Sequence, residues 1–226
     1  MSVAALSDLV AQLPDELRRQ ALTHSSWVEE GGGESYERLA YLGDSVLALA
    51  VAGDLVERFP EVDAGGLTKI HNQAVSGVSC AEVGRRLGVP EMLHANEPEG
   101  LDVGIPAEVL LSGERPVPEA TEALIGACFL TFGFERIADA VAAAFESRIE
   151  HVAATTIDFK SALQETLARR RSHVSYEVIA ESGPPHRRKF EVAAIVDSKR
   201  VGEGAGRSKK AAEQAAAEQA LKRLGE

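Results

Sequence analysis

Four carboxylates sit inside two apolar helical patterns, and no other feature narrows the possible folds as much. Residues 37–47 read ERLAYLGDSVL. Leu39, Leu42, Val46 and Leu47 recur at helical spacing, and Ala48, Leu49, Ala50 and Val51 prolong the run, so the spacing predicts a buried helix over about 35–59. Glu37 and Asp44 lie two turns apart and share a face. Residues 119–130, EATEALIGACFL, repeat the arrangement with Glu119 and Glu122 spaced i, i+3. A carboxylate in a core helix is costly unless it is paired or bound to a cation. One such acid is often bonded to a neighbouring side chain. Two helices each presenting two acids on one face are able to converge on a divalent ion, and an all-oxygen, thiol-free set suits Mg²⁺.

Composition bounds the setting. The chain has 226 residues, 45% hydrophobic but only 5% aromatic, so its core is built mainly from Ala, Leu and Val and favours helices. No uninterrupted apolar run reaches the roughly 18 residues of a membrane span, and no basic-then-apolar leader opens the sequence, so a cytoplasmic protein with no membrane partner is expected. In that setting Cys80 and Cys128, both in apolar helical contexts, read as reduced core thiols. The net charge of −11 hides an asymmetry: residues 1–154 carry 10 basic and 25 acidic side chains, net −15, whereas residues 155–226 carry 14 and 10, net +4. An acidic body with a basic tail suggests that the tail holds a polyanion.

Along the body the pattern predicts helices over 6–13, 16–23, 67–87 (one or two, with Gly77 and Gly84 as weak points), 107–111, 118–132 and 135–153, with 92–118 the least regular stretch. Residues 154–158 read as a linker. The tail then changes period. A helix over 159–171, strands over 174–181, 190–196 and 200–203, and an Ala-rich helix over 208–224 give the order α-β-β-β-α. Its basic groups gather at the end of the first helix, in the loop at 187–189 and at Lys209 and Lys210, which open the last helix. The macrodipole disfavours lysine there, so a bound anion would account for the pair.

The segments GPPHRRKFEVAAIV and GEGAGRSKKAAEQAAAEQAL closely resemble a double-stranded RNA-binding domain. The resemblance implies that Gln164 and Glu165 face ribose hydroxyls, that His186 and Arg187 enter a second minor groove, and that Lys209 and Lys210 contact the intervening phosphates, reading A-form shape rather than sequence. ERLAYLGDSVL in turn resembles the ribonuclease III signature. Leu22-Thr23-His24-Ser25, Leu67-Thr68-Lys69 and Thr121 to Ala127 match further family segments in order. The fold class implied is an all-α endonuclease domain over 1–153 followed, after the linker, by a small α+β double-stranded RNA-binding domain over 159–226.

The same resemblance implies a homodimer, each copy cutting one strand of an RNA duplex by Mg²⁺-assisted hydrolysis, with Mn²⁺ able to substitute and no small-molecule cofactor. The products carry 5′-phosphate and 3′-hydroxyl ends, and the expected role is ribosomal and messenger RNA processing. Asp44 and Glu122 match the catalytic acids, and Asp44, Glu119 and Glu122 the metal ligands. Glu37 matches a supporting acid, and Tyr41 an aromatic that plugs into the partner subunit. The sequence also departs from the family. Ala40 stands in place of a metal-binding Glu, Glu119 in place of Asp, Gly66 in place of a frequent Glu, and His71 in place of Arg. Losing one acid at Ala40 leaves two expectations open: an enzyme of weakened metal affinity, or a catalytically silent dimeric scaffold that only binds duplex RNA. His24 is expected to cap or bridge helices.

Overall fold

Two glycines set the centre of the body. In the computed structural model, which describes residues 3–28, 33–100, 104–156, 158–183 and 188–225, α3 (Glu37–Arg58) and α8 (Pro116–Phe132) pack more extensively than any other pair of elements. A Cβ on Gly43 would overlap the carbonyl of Glu122, and one on Gly126 would overlap that of Leu39. The two backbones touch there, which only glycine permits. By length and apolarity α3 would serve to cross a bilayer, but here it is a core helix, burying Leu39, Val46, Leu47, Ala50, Val51 and Leu55.

Around this pair lie α1 (Ala4–Ala11), α2 (Asp15–Ala21), a short 3₁₀ turn at Ser25–Trp27, α4 (Ala64–Ala74), α5 (Gly77–Leu87), α6 (Val89–Asn96), α7 (Ala107–Leu111) and α9 (Phe134–Thr156). Gly77 does mark a break, since α5 begins on it. Gly84 is no weak point. It lets α5 lie directly against Thr121 and Val117 of α8. Gly88, at φ +79°, ends α5, and α6 follows at once through residues expected to be irregular. The second acidic helix starts two residues before the expected Pro118, with Pro116 and Pro118 both in its first turn, where a missing N–H costs nothing. His71 bonds through Nε2 to the Ala48 carbonyl at 3.0 Å, joining α4 to α3. The helix α9 runs on through Thr156, into the stretch read as linker, with the Thr155 hydroxyl bonded back to Val152 and His151 carbonyls.

The chain divides after Thr156 into two units. In the second, α10 (Phe159–Arg169) and α11 (Lys209–Gly225) cover one face of an antiparallel sheet ordered β1 (Val174–Ser182), β2 (Lys189–Val196), β3 (Lys199–Gly206). Phe190, Val192, Ala194 and Val196 of β2 meet Leu163, Leu167, Ala212, Ala216 and Ala220 in its core. Strand β3 continues past its expected end at Glu203 to Gly206. Gly202, Gly204 and Gly206 alternate along it, and a Cβ on any of them would strike the α11 backbone at Ala211–Ala220. These glycines form a strand face against which an alanine helix lies.

Candidate active site

The four acids of the two signature helices line one cavity of about 570 Å³, together with His24, Ser25, Tyr36, Ala40, Tyr41, Arg115 and Pro116. The expectation of buried acids needs correction on α3. Glu37 and Asp44 are exposed to the cavity, while Glu119 and Glu122 on α8 are half-buried. The apolar run of α3 wraps the core on one side and leaves its acidic face open. Among the described residues no three His, Cys, Asp or Glu side chains close into a preformed ion cage.

Glu122 is the most perturbed of the four acids. Burial, then the charge of Asp44, push its carboxyl up to about 7, with Glu119 adding to the rise and a hydrogen bond from the Cys80 thiol opposing it. Cys80 is fully buried, and burial, Glu122 and Asp44 hold its thiol protonated. It is a free core thiol, as expected, and also a neighbour of Glu122. The one available signal was Gly84, a turn further along α5, which brings that helix against α8.

Glu119 is fully engaged. The Tyr36 hydroxyl donates to its Oε2 at 2.9 Å, and Arg115 Nη2 lies 2.9 Å from its Oε1. Tyr36 itself is only 1% exposed, its backbone N–H donates to the Thr23 carbonyl, and burial and Glu119 keep its hydroxyl protonated. The Ser26 N–H donates to His24 Nδ1 at 3.0 Å, so the ring carries its neutral proton on Nε2 and caps the 3₁₀ turn. Burial lowers the His24 pKa against the opposing charges of Glu119 and Glu37. The ring meets Tyr36 and Trp27 edge-on. Ala40 forms part of the cavity wall, and Tyr41, 81% exposed, stands at its rim.

The Glu122 shift has a measurable sign. The folded protein holds this proton more tightly than the unfolded chain, where the carboxyl titrates near 4.5. Its contribution to stability is therefore complete below about pH 4.5 and is lost as pH rises through 7. In EDTA, Glu122→Gln should match the pH dependence of the parent in acid. By pH 8 it should gain on the parent by roughly 3 °C, on the order of 1 kcal/mol once solvent screening is discounted. Thermal melts from pH 4 to 8 read this difference, and a gap that stays constant with pH would contradict the shift.

In the tail, Gln164 and Glu165 are exposed on α10, and Lys209 and Lys210 are exposed at the start of α11 beside exposed Arg207. The two helices are clamped near their N-termini. Gln214 Nε2 donates to Asp158 Oδ1 at 2.9 Å, and the Lys160 N–H donates to Gln214 Oε1 at 3.2 Å. Asp158 also accepts from the Ser161 N–H, and these hydrogen bonds lower its pKa. His186 and Arg187 lie outside the described residues. Of the neighbouring basic groups, Arg188 pairs with Glu181 and Lys189 with Glu191.

Residues 14–149 match the family described as Ribonuclease-III-like, and residues 159–224 match the double-stranded RNA binding motif. A protein named Ribonuclease 3 from Syntrophotalea carbinolica is 35% identical over 233 residues, covering 100% of this chain and 98% of the relative. One of the same name from Geobacter metallireducens is 40% identical over 212 residues, covering 91% and 84%. The crystal structure of the nuclease domain of ribonuclease III from Campylobacter jejuni aligns with a TM-score of 0.49 at 28% identity, covering 66% of this chain and 93% of that one. With an acid-lined cavity between two glycine-locked helices and a double-stranded RNA binding motif later in the sequence, the chain belongs to the ribonuclease III family of endoribonucleases.

Proposed function

We propose that the protein is a Mg²⁺-dependent endoribonuclease that cuts double-stranded RNA to products with 5′-phosphate and 3′-hydroxyl ends. It acts as a homodimer in which each copy serves one strand, and processes ribosomal and messenger RNA precursors in the cytoplasm. One observation carries the reading. Asp44 and Glu122 come from helices locked together at Gly43 and Gly126 and face one cavity, where burial, and then the charge of Asp44, push the Glu122 carboxyl up to about 7.

The donor set fits the ion. All four acids offer oxygen, and Mg²⁺ keeps several waters and needs only one or two carboxylates rather than a closed cage. Asp44 and Glu122 would hold it, with Glu119 and Glu37 as outer acids. The chemistry such an ion supplies is polarisation of the phosphate, activation of water and stabilisation of the leaving 3′ oxygen. Glu122 must give up its proton to take part. Tyr36 fixes Glu119 through one oxygen, and Ala40 leaves the wall open where the family has another carboxylate. Support for the dimer comes from the outward face of α3, where Tyr41, Leu49 and Val56 are 81%, 59% and 60% exposed, an apolar stripe of the kind a partner covers.

Cleavage of a long RNA duplex across Mg²⁺ and Mn²⁺ titrations tests this. Cutting should require metal, half-saturate at high Mg²⁺, and fall by at least ~10²-fold in Glu122→Gln. A second reading, a catalytically silent dimeric RNA-binding scaffold, draws on Ala40 and on the two occupied oxygens of Glu119. Tight duplex binding with no cutting at any metal concentration would establish it.

A further inference from the structure

We propose that Arg115 binds a phosphate of the RNA duplex, parked on Glu119 in the free protein and transferred to a phosphodiester oxygen when substrate enters. The proposal rests on the cleavage reading above and assigns one more residue to it. A cavity lined by Glu37, Asp44, Glu119 and Glu122 has to admit a polyanion, and Arg115 is the one permanently cationic side chain among its described lining residues.

Three features suit Arg115 to that task. Its side chain is 87% exposed while its partner Glu119 is 28% exposed, so its guanidinium lies at the mouth and the carboxylate lies deeper. The base of the side chain is fixed, because Arg115 is the N-cap of α8 and its carbonyl accepts from the Glu119 N–H at 3.1 Å. The guanidinium has five N–H donors, and the ion pair with Glu119 occupies one edge. The rest remain for the two-pronged contact that guanidinium makes with phosphate.

The helix end shows why a side chain is needed. The free N–H groups of a first turn ordinarily greet an anion. In α8 the residues Pro116, which lines the cavity, and Pro118 remove two of them. Arg115 restores donors at the same place, with a full charge. Glu119 loses little on release, since Tyr36 still donates to its other oxygen.

The plain alternatives are a solvent-exposed i, i+4 ion pair of no consequence and a built-in counter-ion that merely competes with metal for Glu119. Full-length parent, Arg115→Ala and Arg115→Lys separate them. Arg115→Ala should raise KM for a duplex about tenfold at saturating Mg²⁺ and leave kcat within about threefold. Duplex binding measured against KCl in the Glu122→Gln background should lose about one unit of log–log salt slope. Arg115→Lys should recover the slope and only part of KM. Unchanged KM and slope in Arg115→Ala would overturn the proposal. So would tighter Mn²⁺ binding by calorimetry without RNA, accompanied by an unchanged slope, because Arg115 would then be a counter-ion only. A parent that cuts nothing would sink the cleavage reading, while the salt slopes would still decide Arg115.

Discussion

Gly43→Ala should cost the body about 3 kcal/mol, lowering its melting temperature by roughly 6–12 °C, and reduce cleavage about 10²-fold. The added methyl has nowhere to go. Its nearest neighbours are the Glu122 carbonyl and the Gly126 backbone N–H, both main-chain atoms inside a helix, not the tip of a flexible side chain. Relief requires α3 and α8 to separate, and the separation falls on the residue whose carboxylate faces Asp44. Stability and catalysis therefore fail together from one cause. Gly53 supplies the internal control. It lies in the same helix with nothing within 4 Å of its would-be Cβ, so Gly53→Ala should be neutral or stabilise by about 0.5–1 kcal/mol. The measurements are calorimetric melts and duplex cleavage. Duplex affinity, carried mainly by the other unit, should change little in both variants. A Gly43→Ala protein that melts and cuts like its parent would mean the two helices do not touch here.

The close packing also explains what was legible beforehand. The acids stood out because carboxylates at i, i+3 and i, i+7 interrupt otherwise apolar helical runs, and local spacing alone puts each pair on one face. The groups that tune them did not stand out. Cys80 is on α5, Tyr36 just precedes α3, and Arg115 precedes α8. Cys80 and Tyr36 reach the acids of α8 through helix-to-helix approach, which leaves no periodic trace, whereas Arg115 reaches Glu119 along its own helix at i, i+4. The apolar run of α3 even misled, since it implied buried acids where one face is open to the cavity.

The tail was legible because its alternation is regular, with Phe190, Val192, Ala194 and Val196 pointing one way along β2. The last strand was cut short because Gly202, Gly204 and Gly206 have no side chains to alternate. Their meaning lies in α11, whose Ala212, Ala216 and Ala220 form the complementary flat face. Neither half of that pairing reads as a contact until both are folded.

Replacing Lys209 and Lys210 together with alanine should weaken duplex RNA binding about 10–100-fold and reduce the log–log salt slope by about two, equally for duplexes of any sequence. Both lysines are exposed at the first turn of α11, where the helix dipole opposes a positive charge. Lys209 gains a little from lying 5.9 Å over the Phe190 ring, and Lys210 lies within electrostatic reach of Asp158. These compensations are small at exposed positions, about 0.5–1 kcal/mol. Alanine is the better helix former and relieves the dipole conflict, so the double variant should melt no lower than its parent. The opposite movement of the two quantities is the discriminating result. Binding that falls while stability holds assigns the lysines to phosphate. If both fall, the lysines are braces of the fold through Phe190 and Asp158. If affinity falls for some sequences and not others, the tail reads base edges rather than A-form shape, and the groove-and-phosphate assignment of α10, α11 and the 183–188 segment is wrong.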